Sequence, residues 1–140
     1  MKTMIVFRLG NERIALDINK VSEVTEAQSP VPVPKSPQFV LGLVNIRGNI
    51  IPVLSLKRRL GIKGDETGNL LLIVEDSGRV AAIKVDELYG TKKFAEKHIK
   101  RQRKIVSTKK RRDFFHGVYD GEKQPILILD LERTLSKEDR

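Results

Sequence analysis

No cysteine and no tryptophan occur in this 140-residue chain, histidine occurs twice, and aromatic side chains make up 5% of it. Without cysteine there is no disulfide framework and no thiol chemistry, a usage that fits a reducing cytoplasm. No apolar run approaches the ~20 residues needed to span a bilayer. The N-terminus runs straight into a strand pattern, with too short an apolar stretch for a signal peptide, so the sequence reads as a soluble, cytoplasmic protein. His98 and His116 have no carboxylates clustered near them for a metal site. The adjacent pairs Glu75-Asp76 and Asp86-Glu87 would point to opposite faces of a strand rather than at one substrate. No nucleophile turn and no kinase or nucleotide signature occurs, and the glycine-rich stretch 61–68 lacks the Gly-Lys-Ser/Thr of a phosphate loop. These absences point to no enzyme, no metal and no cofactor, and leave a binding module.

What is present is a succession of short β segments. Residues 4–9 and 13–18 flank Gly10-Asn11 and alternate apolar with polar, the pattern of half-buried strands. Residues 43–46 and 50–53 flank Gly48-Asn49, a two-residue turn that accepts positive φ, which places Arg47 at a hairpin shoulder. Residues 70–74 and 80–85 flank Asp76-Ser77-Gly78, and residues 117–119 and 125–129 flank Asp120-Gly121. Helical signal is confined to 54–61, with Ser55 as N-cap and Gly61 beyond the end, and to 131–135 capped by Asp130. Pro30, Pro32 and Pro34 make residues 27–36 a stiff surface connector. Strands at this spacing predict an all-β barrel or sandwich of one compact unit.

Charge is distributed unevenly. Residues 92–112 hold eleven Lys or Arg against one acid, Glu96, in a chain whose whole net charge is +9. The basic patch comprises Lys97, Lys100, Arg101, Arg103, Lys104, Lys109, Lys110, Arg111 and Arg112. Such a block reads as a mobile, solvated insertion between strands, or as a docking element for an acidic partner, an anionic surface or nucleic acid. Phe94 opens it and Phe114 and Phe115 follow it, so the aromatic platform that favours nucleic acid is missing between them.

The central hairpin, Gly42-Leu-Val-Asn45-Ile-Arg47-Gly48-Asn-Ile-Ile-Pro52-Val53, resembles the signature of the CheW family of bacterial chemotaxis adaptors. The opening hairpin over 5–16, Val21-Ser-Glu-Val24, the connector Pro32-Val-Pro-Lys-Ser-Pro37, Lys84-Val-Asp-Glu-Leu-Tyr-Gly90 and the closing stretch 117–135 follow in that family's order. The resemblance implies a single CheW-like domain over 1–140, folded as two five-stranded SH3-like β-barrels sharing a core. It implies a non-catalytic adaptor that couples the cytoplasmic tip of chemoreceptors to the regulatory domain of the histidine kinase CheA, peripheral to the membrane through those receptors. Carried onto matching positions, it puts Glu23, Asn45 and Arg47 in partner contact or its support. Gly42, Gly48 and Pro52 then serve backbone geometry, and Asp86 caps a turn. Arg47 by itself reads equally as a binding group or as a holder of its own turn, by pairing internally with a carboxylate such as Glu23. Glu23, standing between the buried-looking Val21 and Val24, reads equally as a solvated strand residue. Two other readings remain open: a CheW-like scaffold in a receptor–kinase pathway of another output, and a small basic barrel binding nucleic acid through 92–112.

Overall fold

Four hairpins carry most of the chain. The structure, a computed structural model, describes residues 1–101 and 113–136. Strands β1 (Lys2–Leu9) and β2 (Glu12–Asp17) join through Gly10 at φ 58°. A 3₁₀ turn over Ile18–Lys20 leads to β3 (Val21–Glu26), and the connector leads to β4 (Val40–Ile46) and β5 (Asn49–Leu54). Helix α1 (Leu56–Leu60) is capped by the Ser55 side chain and closed by Gly61 in the left-handed region, as its sequence predicts. Then come β6 (Leu70–Asp76), β7 (Arg79–Val85), β8 (Glu87–Phe94), β9 (Ile99–Lys100), β10 (Phe115–Tyr119), β11 (Ile126–Leu129) and α2 (Leu131–Thr134), the last capped by Asp130.

Two sheets form, ordered β8-β1-β2-β11-β10-β9 and β3-β6-β7-β5-β4. The chain therefore starts in the first barrel, crosses at the Ile18–Lys20 turn to build the second, and returns at Asp86. The first sheet exceeds the expected five strands by the two-residue β9, which pairs with Val118 and Tyr119.

Strands β1 and β2 depart from the half-buried reading. In β1, Met4 and Val6 point into the first barrel, while Ile5, Phe7 and Leu9 point into a core shared with the second sheet. Strands β6 and β7 divide in the same way: Leu72, Val74, Ala81 and Ile83 join the shared core, and Leu71, Ile73 and Ala82 fill the second barrel. A strand that faces a barrel lumen on one side and a second sheet on the other needs apolar residues at both parities.

Three further expectations need correction. Ile46 pairs with Asn49, so the turn residues of the central hairpin are Arg47 and Gly48, at φ 53° and 87°. This is the type I′ pattern, and Arg47 stands in the turn itself rather than at its shoulder. The β10–β11 connection is a loop over 120–125, because Tyr119 pairs with Ile126. Finally, the basic stretch does not leave the fold at Lys92. Lys92 pairs with Met4, Phe94 is wholly buried and stacks on Tyr119 at 3.8 Å, and Lys97 lies in a second 3₁₀ turn. Acids from the 120–125 loop offset the charge: Glu122 meets Lys92 and Arg13, and Asp120 meets Lys100 at 2.9 Å. Arg103, Lys104, Lys109, Lys110, Arg111 and Arg112 lie outside the described residues.

The connector is tied to the edge of β4. Val31 N–H donates to Leu43 O at 2.8 Å, and Leu43 N–H donates to Val31 O at 2.9 Å. Between them Gly42, at φ 148°, has no room for a side chain, since a Cβ would stand 2.4 Å from Val31 O. Replacing Gly42 by Ala is predicted to lower stability by ~2 kcal/mol, through loss of this bridge and backbone strain. Thermal unfolding with circular dichroism checks it, and an unchanged melting temperature would mean the bridge contributes nothing.

Candidate functional site

The Arg47-Gly48 turn is held by Asn45, whose Oδ1 accepts the Gly48 N–H at 2.8 Å. That bond lets a non-glycine residue occupy a left-handed position that ordinarily disfavours it. Arg47 Nη1 lies 3.0 Å from Glu23 Oε2, with the Arg47 side chain 81% exposed and that of Glu23 24%. The structure thus brings Glu23, Asn45 and Arg47 together. Glu23 sits on β3 and Arg47 at the end of β4, and these are the two edge strands of the second sheet. The ion pair spans a seam that no backbone ladder crosses.

An exposed pair of this kind contributes ~0–1 kcal/mol to stability. Most guanidinium donors therefore remain turned to water, available to a carboxylate or a row of carbonyls. Apolar surface adjoins the turn: Ile50, in register with Asn45, is 62% exposed. Val24, read from sequence as buried, faces solvent. Val21, Glu23 and Thr25 form the half-buried set instead. An exposed arginine with an aliphatic neighbour on rigid strands has the composition of a protein-binding patch.

Asp86, Gly42 and Pro52 lie elsewhere. Pro52 is half-buried opposite Leu43 and lines a groove with Phe39 and Leu54, away from the tip. Gly48 has open space around it and supplies turn geometry only. Asp86 is almost fully withdrawn from water where β7 passes to β8. It accepts the Gly10 N–H at 2.7 Å and meets Lys57 Nζ at 2.9 Å. Rather than capping its own turn, it anchors a turn distant in the sequence. Burial pushes its carboxyl upward, but the Gly10 hydrogen bond, Lys57 and Arg8 together hold it below the ordinary aspartate value.

Sequence reasoning missed Lys57 and Arg59, both buried. The Arg59 guanidinium lies 4.2 Å from the Phe39 ring centroid and 4.9 Å from that of Phe114. It also donates to Ser136 O at 2.9 Å. A basic helix of five residues gives no local sign that two of its cations turn inward, because their partners lie far along the chain. Among the described basic residues, Lys100 is held by Asp120 and Lys97 is exposed. Phe94 and Tyr119 are buried against each other and offer no stacking face. Among the described residues no three His, Asp or Glu side chains could hold a metal, and no helix is long and apolar enough to cross a membrane.

Comparison with known proteins agrees with this architecture. The model of the CheW-like domain family matches residues 3–139. The chain is 27% identical to a chemotaxis protein CheW of Rhizobium meliloti over 141 aligned residues, covering 99% of this chain and 90% of that one. It is 34% identical to that of Thermotoga maritima over 97 residues, 69% of this chain and 64% of the relative. The crystal structure of the scaffolding protein TtCheW from Thermoanaerobacter tengcongensis superposes with a TM-score of 0.87 at 30% identity, covering 99% of this chain and 90% of the other.

The Asp86 geometry sets an acid response. Because its folded value is depressed, its contribution is fully present above the unfolded value of about 3.9 and is lost as pH falls through the folded value. Asp86→Asn, which leaves Lys57 buried without its counter-charge, is predicted to cost ~3 kcal/mol at neutral pH. It should also flatten the decline in stability on acidification. Urea unfolding at a series of pH values reads both effects; an unshifted neutral midpoint would rule the pair out as an important contact.

Proposed function

This chain belongs to the CheW-like domain family, and from that premise we propose that it is a non-catalytic adaptor that couples chemoreceptors to the histidine kinase CheA in the cytoplasm. The single observation that carries the reading onto particular residues is the conformation of Arg47. A type I′ turn is best served by Asn-Gly or Gly-Gly, and an L-residue in the left-handed region costs ~1–2 kcal/mol. Here the position holds an arginine at φ 53° whose side chain is 81% exposed. Its own pair with Glu23 recovers little of that cost, so the side chain makes most sense as a contact for a partner.

The mechanism is one of geometry. Both barrels are built on long-range strand pairing and a common core, so the patch of Glu23, Asn45, Arg47 and Ile50 is presented at fixed spacing. The regulatory domain of CheA is the proposed partner of this tip, and the receptor's cytoplasmic tip the second partner of the adaptor. A receptor signal reaches the kinase as a difference in binding free energy between two arrangements of the assembly. No bond is made or broken in the adaptor.

Arg47→Asn separates contact from fold. Asparagine suits the turn better, so stability is predicted to stay level or rise by up to ~1 kcal/mol. Affinity for a CheA regulatory domain, measured by calorimetry, is predicted to fall at least ~10-fold, as for loss of an interface arginine. Undiminished affinity with a stable fold would remove Arg47 from the interface.

A further inference from the structure

We propose that the groove beside α2 binds a monomeric aliphatic carboxylate, such as a medium-chain fatty acid. The groove, of about 460 Å³, opens where the ends of β5 and α2 meet the starts of β4 and β7. That volume is of small-molecule size. Phe39, Pro52, Leu54, Val80, Ala81 and Leu135 line it. Leu54, Ala81 and Leu135 belong to the shared core, so an alkyl tail entering here packs on the interior layer of the molecule.

Charge and backbone bonding select the ligand class. Among the described residues that line the groove, Arg79 alone carries a charge. Its Nη1 donates to Leu135 O at 3.0 Å, and it meets no carboxylate among the described residues, which leaves most of its guanidinium donors for an anion. Asp76, opposite it in the β6–β7 register, is engaged with Lys20 at 3.5 Å. Arg58 adds a second cation nearby, donating to Gln38 O at 3.0 Å between the lining residues Pro37 and Phe39. A peptide strand fits poorly, because backbone donors beside the groove are taken. The Val40 N–H goes to Pro37 O at 3.0 Å, that of Leu135 to Leu131 O at 2.9 Å and that of Ser136 to Arg133 O at 3.1 Å, while Pro37 and Pro52 have none. A nucleobase fits no better, since the Arg59 guanidinium already stands over the Phe39 ring at 4.2 Å. An alkyl chain asks for no hydrogen bond, and its single carboxylate asks for a guanidinium. This groove is separate from the Arg47 tip and does not depend on the adaptor reading.

The test titrates decanoate, kept below its micelle concentration, into the full chain and follows methyl resonances by NMR. Those of Leu54, Val80, Ala81 and Leu135 are expected to shift, and those of Val6 and Ile128 in the first barrel to stay. Decanol, with the same chain length and no charge, should bind about 10-fold more weakly, and acetate should move none of these methyls. Arg79→Gln keeps a donor for Leu135 O and should weaken decanoate about 10-fold while leaving decanol unchanged. Val80→Glu, which sets an acid at a lining position 39% exposed, should weaken decanoate as well. Melting curves establish that both variants fold. Unmoved groove methyls, decanol binding as tightly as decanoate, equal shifts in the first barrel, or undiminished decanoate affinity in either folded variant would each overturn the proposal. So would tighter binding of a short peptide ending in leucine, which would give the groove to polypeptides instead.

Discussion

A lysine and an aspartate, both nearly excluded from water, stand where the two sheets meet. Asp86 lies at the point where the chain leaves the second sheet for the first, and Lys57 reaches it from the helix that follows β5. Once buried, neither charge can lose the other cheaply, and the pair gathers further contacts. The Gly10 N–H, the Thr67 hydroxyl, Asp65 O and Arg8 all converge on it. Turns from one barrel and a helix from the other are therefore fixed to one point. Arg59 does the same on the far side of α1, its guanidinium over Phe39 and Phe114 and bonded to carbonyls at the end of α2. Between these ties lies the shared core of Ile5, Phe7, Leu56, Leu72, Ile83 and Leu127. The barrels have one common interior layer and cannot move apart without opening it.

That rigidity is what gives exposed groups their meaning. Arg47 is far more exposed than its partner Glu23, and it occupies a backbone conformation that a smaller residue would adopt more easily. On a mobile loop the same arginine would lose entropy on binding. On a hairpin pinned by Asn45 its backbone is already placed, and only the side chain remains to be ordered. A scaffold acts by holding partner surfaces at defined spacing, and the tied junction fixes the spacing of this chain's two sheets.

Much of this was legible in the sequence, and the failures have physical causes. Gly10-Asn11, Ser77-Gly78 and the Ser55 and Asp130 caps all point to the observed hairpins and helices, because turn and cap chemistry is local. The Arg47 turn was displaced by one residue for the same reason: an arginine in the left-handed region is the less favoured choice, so local rules moved the turn to Gly48-Asn49. Counting charge along the chain misjudged the start of the basic stretch. Lys92 and Lys100 are offset by Glu122 and Asp120, acids that become neighbours only when β10 and β11 join the sheet. Lys57 and Arg59 carry no sequence sign of burial, since their partners come from remote elements. The pairing of Glu23 with Arg47 could be named as an option but required β3 and β4 to be the two edges of one sheet.

The claim at the centre of this account is that Arg47 meets a partner while its pair with Glu23 only steadies the seam. A charge swap, Glu23→Arg with Arg47→Glu, separates the two by keeping an ion pair and reversing what faces outward. Melting temperature and affinity for a CheA regulatory domain are measured for the swap and for each single variant. The account predicts that the swap recovers the stability lost in the single variants while binding stays at least ~10-fold weaker than in the unaltered chain. Full recovery of binding by the swap would show that the pair, and not the arginine, is what the partner requires.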